Sequence, residues 1–187
     1  MLFTIDTDRI KPKQPTDDLM RRVAGGDMDA FAELYELTKH TVYCFLLSVV
    51  RNRSMAEDLM QDTYLSVRKS IQHYIPKNKP MAWIFTIARN LAYMELRRRG
   101  SHPETNLDDL GETIPAKEEL SGLIDRLVLQ KTLQSLGDKE RQIVLLHAVS
   151  GLKFREVADV VEMPLGSVLS GYSRAMKKLK KILNEEG

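Results

Sequence analysis

The sequence predicts an all-α protein built from two small helical domains, residues 17–100 and 120–187, joined by a flexible acidic linker over 101–119 and preceded by a tail over 1–16. Three observations carry this. Apolar residues recur at helical spacing along most of the 187-residue chain, and strand-like alternation persists nowhere. The stretch from Ser101 to Glu119 loses that period and scatters Pro103, Gly111 and Pro115 among Glu104, Asp108, Asp109, Glu112, Glu118 and Glu119, a linker composition. Near the C-terminus, two helix-compatible segments flank the breaker Glu162-Met-Pro164, the layout of a helix-turn-helix.

The elements follow in order. Residues 1 to about 15, with Lys11, Pro12, Lys13 and Pro15, have the composition of a loose tail. Thr16-Asp-Asp18 caps a short helix that stops at Gly25-Gly26. Asp27 or Asp29 starts a second helix, with Phe31, Leu34, Thr38, Val42, Phe45, Leu46 and Val49 as its apolar stripe. Ser54-Met-Ala-Glu57 has the form of a capping box, and Met60, Thr63, Tyr64, Val67 and Ile71 share one face of the helix behind it. His73 to Pro80 is a loop, and a fourth helix then buries Ile84, Ile87, Ala88 and Leu91, with Trp83 serving the core, before ending in Arg97-Arg-Arg99 and Gly100. Beyond the linker, Leu120 to Leu136 regains helical spacing, Gly137-Asp138 resets it, and Ile143 to Val149 is apolar enough for a central core helix.

In the last segment, Val157, Ala158 and Val161 fall at helical spacing, with the small Ala158 where a steeply crossing helix needs close approach. Proline fits a helix's first turn, so Pro164 opens a helix through Leu165, Val168, Leu169, Tyr172, Met176, Leu179 and Leu183. Its other face carries Ser167, Ser170, Ser173, Arg174, Lys177 and Lys178, with Lys180 and Lys181 beyond. Hydroxyls suit base edges or phosphates, and the cations gain affinity by releasing counterions from a duplex. A solvated lysine face is the plain alternative for one basic helix; the preceding breaker and the small-residue crossing favour DNA.

Composition excludes several classes. The formal charge is only +2, but cations cluster at Arg97–Arg99 and in the last helix, with acids between. Cys44 is the only cysteine, which rules out intramolecular disulfides and cysteine-based zinc sites, and His40, His73, His102 and His147 are scattered. No apolar run reaches the roughly 18 residues of a membrane span, and the N-terminus lacks a signal-peptide profile, so a cytoplasmic location is expected. No phosphate-cradling glycine loop, metal cluster or nucleophile elbow occurs, so no catalytic residue, metal or cofactor is expected and an enzyme has no support.

Two further surfaces invite partners. Asp58, Gln61, Asp62 and Leu65 fall on one helical face opposite the apolar stripe, and a leucine among acids and an amide suits docking on a basic, partly apolar helix as well as it suits solvent. The His73 to Pro80 loop interleaves rings, Asn78 and lysines beside a helix offering Arg89, Asn90, Tyr93, Arg97 and Arg98. Such a set can stack and neutralise single-stranded DNA, with Asn78 reading an extruded base; an ordinary surface loop is the alternative.

Together these residues resemble the bacterial sigma factors of the sigma-70 family, specifically the compact extracytoplasmic function (ECF) group, group 4, over nearly the whole chain. Ala56-Glu-Asp-Leu-Met-Gln-Asp-Thr-Tyr-Leu65 resembles the family's core-polymerase-binding motif. Ala82-Trp-Ile-Phe-Thr-Ile-Ala-Arg-Asn-Leu91 with Arg97-Arg-Arg99 resembles its promoter-melting helix. Leu136-Gly-Asp-Lys-Glu-Arg-Gln-Ile-Val144 and Gly151-Leu-Lys-Phe-Arg-Glu-Val-Ala158 resemble its -35 reading domain. The resemblance implies a non-enzymatic transcription initiation factor with a region 2 bundle at 17–100 and a region 4 helix-turn-helix at 120–187. It implies that Asp58, Gln61, Asp62 and Leu65 dock on the clamp helices of the polymerase largest subunit, with the flap as a further polymerase contact. Tyr74, Lys77, Asn78 and Lys79 then capture a flipped -10 base, beside Arg89, Asn90, Tyr93 and Arg97. Ser167, Ser170, Gly171, Ser173 and Arg174 face the -35 element, along with Lys177 and Lys178. The linker threads toward the RNA exit path, and a cognate anti-sigma factor is expected.

Two positions depart from the family pattern. Basic residues usually follow the Gly-Thr-Val of the recognition helix directly and two places on, whereas Gly166-Ser-Val168 is followed by Leu169 and Gly171. Arg68 stands where the core-binding helix often has tryptophan. A stand-alone helix-turn-helix regulator that never joins polymerase is the competing expectation, and the acidic face of Asp58 and Asp62 discriminates between the two.

Overall fold

The computed structural model describes residues 14–100 and 135–185, and all of their regular structure is helical. The expected linker, most of the helix expected over Leu120 to Leu136, the tail up to residue 13 and the side chain of Leu183 lie outside the described residues. Helix α1, Asp17–Ala24, starts on Thr16, whose hydroxyl accepts the Leu19 N–H at 3.1 Å. Helix α2, Met28–Val50, starts on Asp27, which accepts from the Ala30 N–H at 2.9 Å. Both are side-chain caps of the kind the sequence calls for, each satisfying a donor that the first turn leaves orphaned.

Helix α3, Arg53–Ser70, corrects one expectation. Its cap is Asn52, accepting from Met55 N–H at 2.8 Å, so Ser54 lies inside the first turn and makes no capping box. The chain has just left α2 through Arg51 in the left-handed region, φ 51°, and this tight connection leaves Asn52 as the only extended residue available to cap. A 3-10 turn, Ile71–His73, leads to the loop, and α4, Pro80–Arg99, begins at a proline and ends on Gly100 at φ 63°.

The expected stripes of α2 and α3 point inward. Leu34, Thr38, Val42, Phe45, Leu46 and Val49 of α2 meet Leu59, Thr63, Tyr64 and Val67 of α3 and Ile84, Phe85 and Ala88 of α4. Phe45 and Phe85 pack edge to face, with ring centres 5.2 Å apart. One polar link crosses this core: the Thr38 and Tyr64 hydroxyls lie 2.6 Å apart, and Thr38 also donates to the Leu34 carbonyl at 2.7 Å. Met60 and Phe31 sit half-buried at its rim, as do Trp83, Ile87 and Leu91.

In the second half, α5, Asp138–Val144, runs into one π-helical turn, Leu145–Val149, closed where the Ser150 N–H and hydroxyl both bond the Leu145 carbonyl, at 2.9 and 3.0 Å. Helix α6, Phe154–Val161, stops at Glu162, which adopts φ 53°. The Pro164 carbonyl then accepts the Ser167 and Val168 N–H groups at 2.9 and 3.1 Å, launching α7, Leu165–Glu185. The breaker therefore forms the turn of a helix-turn-helix. Ala158 is buried in it as expected.

Helix α7 is clamped to α5 by two devices. Gly171 faces inward, and a Cβ placed there would lie 2.9 Å from Ile143 Cδ1, so its missing side chain admits Ile143. Glu140, whose side chain is 12% exposed, bonds Lys178 Nζ at 2.7 Å and pairs with Arg174 Nε at 3.5 Å. Burial alone would raise this carboxyl, but Lys178, the Gly137 N–H and Arg174 together hold it below its ordinary range.

The two halves pack on each other. Helix α4 lies against α6 and α2 against α5, and one continuous buried cluster includes Ile84, Phe85 and Ala88 together with Ile143, Leu146, Val157, Val160 and Val161. Polar contacts ring this seam. Arg51 bonds Asp138, which Arg141 also approaches at 3.4 Å; Arg89 pairs with Glu162 at 2.9 Å; and the Gln14 amide donates to the Ser150 carbonyl at 2.7 Å.

Three outcomes follow from this packing. Gly171→Val drives a branched side chain into Ile143 and lowers unfolding stability by about 1–3 kcal/mol in thermal or denaturant melts. Glu140→Gln lowers stability at pH 7. Because the folded carboxyl titrates below its unfolded value near 4.3, the wild-type advantage is complete above that value and disappears as pH falls through the folded pKa, which melts across pH 2–7 would record. Asp138→Asn combined with Glu162→Gln loosens the seam and raises the radius of gyration in small-angle X-ray scattering; an unchanged radius would exclude these pairs as tethers.

Candidate nucleic-acid interface

Three surfaces gather the residues that the sequence singles out. On α3, Asp58, Gln61, Asp62 and Leu65 are all exposed and lie opposite the buried Ala56, Leu59, Thr63 and Val67. Leu65 is 54% exposed, a large apolar side chain held in water by a helix whose inner face is already full. Arg68 is exposed one turn further on. The arrangement offers an acidic rim around one apolar contact, chemistry that fits a basic helix carrying a hydrophobic groove.

The second surface is the loop between the 3-10 turn and α4, with the outer side of α4. Lys77, Asn78 and Lys79 are exposed, and Asn78 adopts φ 54°. Tyr74 differs: its hydroxyl donates to Asp17, its ring packs edge-on to Trp83 at 5.3 Å, and burial followed by the Asp17 charge pushes its phenol well above the ordinary value. Asp17 also accepts the Asn78 backbone N–H at 2.8 Å. One carboxylate thus pins both ends of the loop. Sequence reasoning counted Asp17 among the capping residues of α1; with Thr16 supplying the cap, its carboxylate is left to hold the loop.

Asn90 and Arg97 are exposed on α4, whereas Arg89 and Tyr93 are half-buried toward the second half of the chain. The Arg89 side chain is 12% exposed, its guanidinium sits 4.8 Å from the Tyr93 ring centre, and it is paired with Glu162. Lys139 Nζ lies 5.6 Å from the same ring. Arg98 and Arg99 turn onto Glu95, whose carboxyl their hydrogen bonds hold at about 2. The structure therefore separates Arg97 from its two arginine neighbours. Lys77, Asn78 and Lys79 share a cleft of about 460 Å³ with Lys153, Arg155 and Glu156 of the second half, a convergence of cations that spacing along the chain could not reveal.

The third surface is α7. Leu169, Ser170, Ser173, Lys177, Lys180 and Lys181 are exposed, and Ser167 is half-buried. Ser170 returns its hydroxyl proton to the Ser167 carbonyl at 3.2 Å, leaving its oxygen lone pairs outward. Arg174 and Lys178 are exposed but bound to Glu140, a partner the sequence reading did not assign to them. Gly171, expected on the same face as the serines, instead lies on the buried side against Ile143, because the helical period carries position 171 inward between Val168 and Ala175.

Among the described residues no group of three or more His, Cys, Asp or Glu is placed to hold a metal ion, and no helix is long and apolar enough to cross a membrane. Cys44 lies half-buried in α2, and burial pushes its thiol up to about 11.

The sigma-70 region 2 family matches residues 34–102, and the sigma-70 region 4 family matches residues 126–179. The chain is 33% identical over 167 residues to the RNA polymerase sigma factor CarQ of Myxococcus xanthus, covering 89% of this chain and 96% of that one. It is 30% identical over 183 residues to the ECF RNA polymerase sigma factor SigK of Mycobacterium ulcerans, covering 92% and 97%. Among solved structures it resembles the sigma factor RpoE of Bartonella quintana, described in complex with the anti-sigma factor NepR, with TM-score 0.66, 25% identity and coverage of 82% and 96%. It also shares its fold with CnrH, described in complex with the cytosolic domain of CnrY, at TM-score 0.63, 20% identity and coverage of 91% and 97%. With both regions present in family order and near-full-length relatives at this identity, the chain belongs to the ECF group of sigma-70 family RNA polymerase sigma factors, proteins that direct promoter recognition and are not enzymes.

Proposed function

We propose that this sigma factor divides its work among the three surfaces: α3 docks on core RNA polymerase, the loop and α4 hold the -10 element, and α7 reads the -35 element. The observation that carries this is the exposed Asp58, Gln61, Asp62 and Leu65 face, which no described residue covers, while Met55, Ala56, Leu59, Tyr64 and Val67 of α3 are buried. In this reading it seats on the clamp helices of the polymerase largest subunit, with the flap as a second polymerase contact. Lys77, Asn78 and Lys79 then receive an unstacked -10 base, with Asn78 placed by its bond to Asp17. Tyr74 buttresses that loop from beneath. Asn90 and Arg97 reach the flanking strand, and Arg89 and Tyr93 join them once Glu162 lets go.

On α7, Ser167, Ser170 and Ser173 face base edges, while Lys177, with Arg174 and Lys178, neutralises phosphate. Gly171 serves the packing of α7 in this scheme. Strand separation draws on binding energy alone, with no cofactor. Each module is small, and tethering both to one polymerase makes the second contact intramolecular, at a high effective concentration. An anti-sigma partner is part of the proposal, supported by the description of the Bartonella quintana relative as such a complex, and a cytoplasmic site of action goes with it.

Charge reversal tests the docking step. Asp58→Lys with Asp62→Lys should cut promoter-specific transcripts from reconstituted polymerase by at least about tenfold, since like charges across an interface cost several kcal/mol. Affinity for promoter duplex without polymerase should stay unchanged. Full transcription by the double variant would discard α3 as the docking helix.

A further inference from the structure

Among the exposed apolar side chains, Leu169 stands nearest the start of the candidate -35 helix. Leu169 is the fifth residue of α7, 44% exposed, in the N-terminal part of a helix-turn-helix second helix, the part that approaches base edges in this motif. Its neighbours on that strip are Gly166, Ser170 and Ser173, all exposed and all uncharged. Among the described residues nothing packs on Gly166, where an added Cβ would meet no neighbouring atom within 4 Å. The cations of the strip begin only at Lys177, eight residues on, or about 12 Å along the axis. A helix that places Leu169 on a base edge therefore has its first strip cation more than two turns away, in reach of the phosphate backbone and not of the same base. The one arginine near this strip, Arg174, is drawn aside onto Glu140.

We infer that Leu169 is a specificity-determining residue that reads the 5-methyl group of a thymine in the -35 element. The inference rests on the proposed use of α7 as the promoter helix. Its chemistry is restrictive. A leucine neither donates nor accepts, so against guanine, adenine or an unmethylated cytosine it strands the polar base edge it desolvates. Thymine alone among the four bases offers an apolar group in the major groove. The serines beside it tolerate either a donor or an acceptor and impose no guanine preference, in contrast to the bidentate contact an arginine at this position would make.

The test uses the full chain in holoenzyme with core polymerase. Selection from random duplexes first defines the upstream element. Each thymine in it is then replaced singly by deoxyuridine, which deletes only the methyl and leaves the protein and base pairing intact. One position should lose about fourfold in affinity, the worth of one buried methyl. Leu169→Ala should erase that loss at that position alone while binding the deoxyuridine duplex as wild type does. Leu169 is exposed, so the variant is expected to fold, and the base substitution on wild-type protein reads the contact independently. An element whose thymines are all indifferent to methyl loss, or a fourfold loss that persists in Leu169→Ala, overturns the assignment and leaves α7 as a promoter helix. A holoenzyme that selects no upstream element at all overturns both.

Discussion

The buried seam between α4 and α6 is the constraint on which the rest of this structure depends. Helix α4 has an inner face that completes the first core and an outer face that carries Arg89 and Tyr93, and the second half of the chain lies against that outer face. Apolar burial through Val157, Val160 and Val161 supplies the non-directional attraction. The ion pairs add register: Arg51 to Asp138 and Arg89 to Glu162 fix where one half sits on the other. They are poor sources of net stability. The Nε groups of both arginines are buried with no hydrogen-bond partner among the described residues, so part of each guanidinium's hydration is lost without replacement there. Such a seam specifies an arrangement without making it permanent. The proposed role of Arg89 at the -10 element requires that combination.

The loop before α4 is governed by a different device. A loop that holds an unstacked base loses affinity if it must first be ordered, because each ordered residue costs conformational entropy at the moment of binding. Here the entropy is already spent in the folded state. Asp17 reaches across from α1 to the Tyr74 hydroxyl and the Asn78 N–H, and Trp83 braces the Tyr74 ring. Helix α1 thereby acquires a purpose that its short length alone would not suggest: it is the post to which the loop is tied. With Tyr74 held inward, Lys77, Asn78 and Lys79 are the exposed polar groups on which the proposed base contact depends.

Much of this was legible in the sequence, and what was not shares a physical cause. The helices, the break at Glu162-Met-Pro164 and the exposed acidic face of α3 follow from periods of 3.6 residues and from local backbone chemistry, both of which are local in sequence. Asn52 displaced Ser54 as a cap because the left-handed Arg51 ended α2 within two residues, a boundary that periodicity resolves poorly. Gly171 was assigned outward with the serines around it, although its spacing from Val168 and Ala175 puts it on the inner face. The ion pairs of Arg89, Arg174 and Lys178 were invisible for a stronger reason. Glu162, at 73 positions from Arg89, and Glu140, at 38 positions from Lys178, become neighbours only when the helices pack. Residue type predicted cations suited to phosphate; it could not predict that carboxylates would already hold them.

Those carboxylates sharpen the division of labour along α7. Glu140 draws Arg174 and Lys178 to one flank of the helix, next to α5, while Lys177 and Lys180 are exposed on α7. A cation already paired with a carboxylate adds less counterion release than an unpaired one, so in the proposed scheme Lys177 leads Arg174 and Lys178 in neutralising phosphate. The N-terminal turns are left to uncharged side chains. An uncharged strip gains little from the backbone phosphates it passes, and its free energy varies with the bases it touches, which is what discrimination requires. The same partition would limit how tightly α7, in its proposed role, holds DNA alone. In the proposed scheme anchorage through α3 to polymerase answers that limit, because a contact too weak to persist by itself becomes decisive once its partner surface is held within reach.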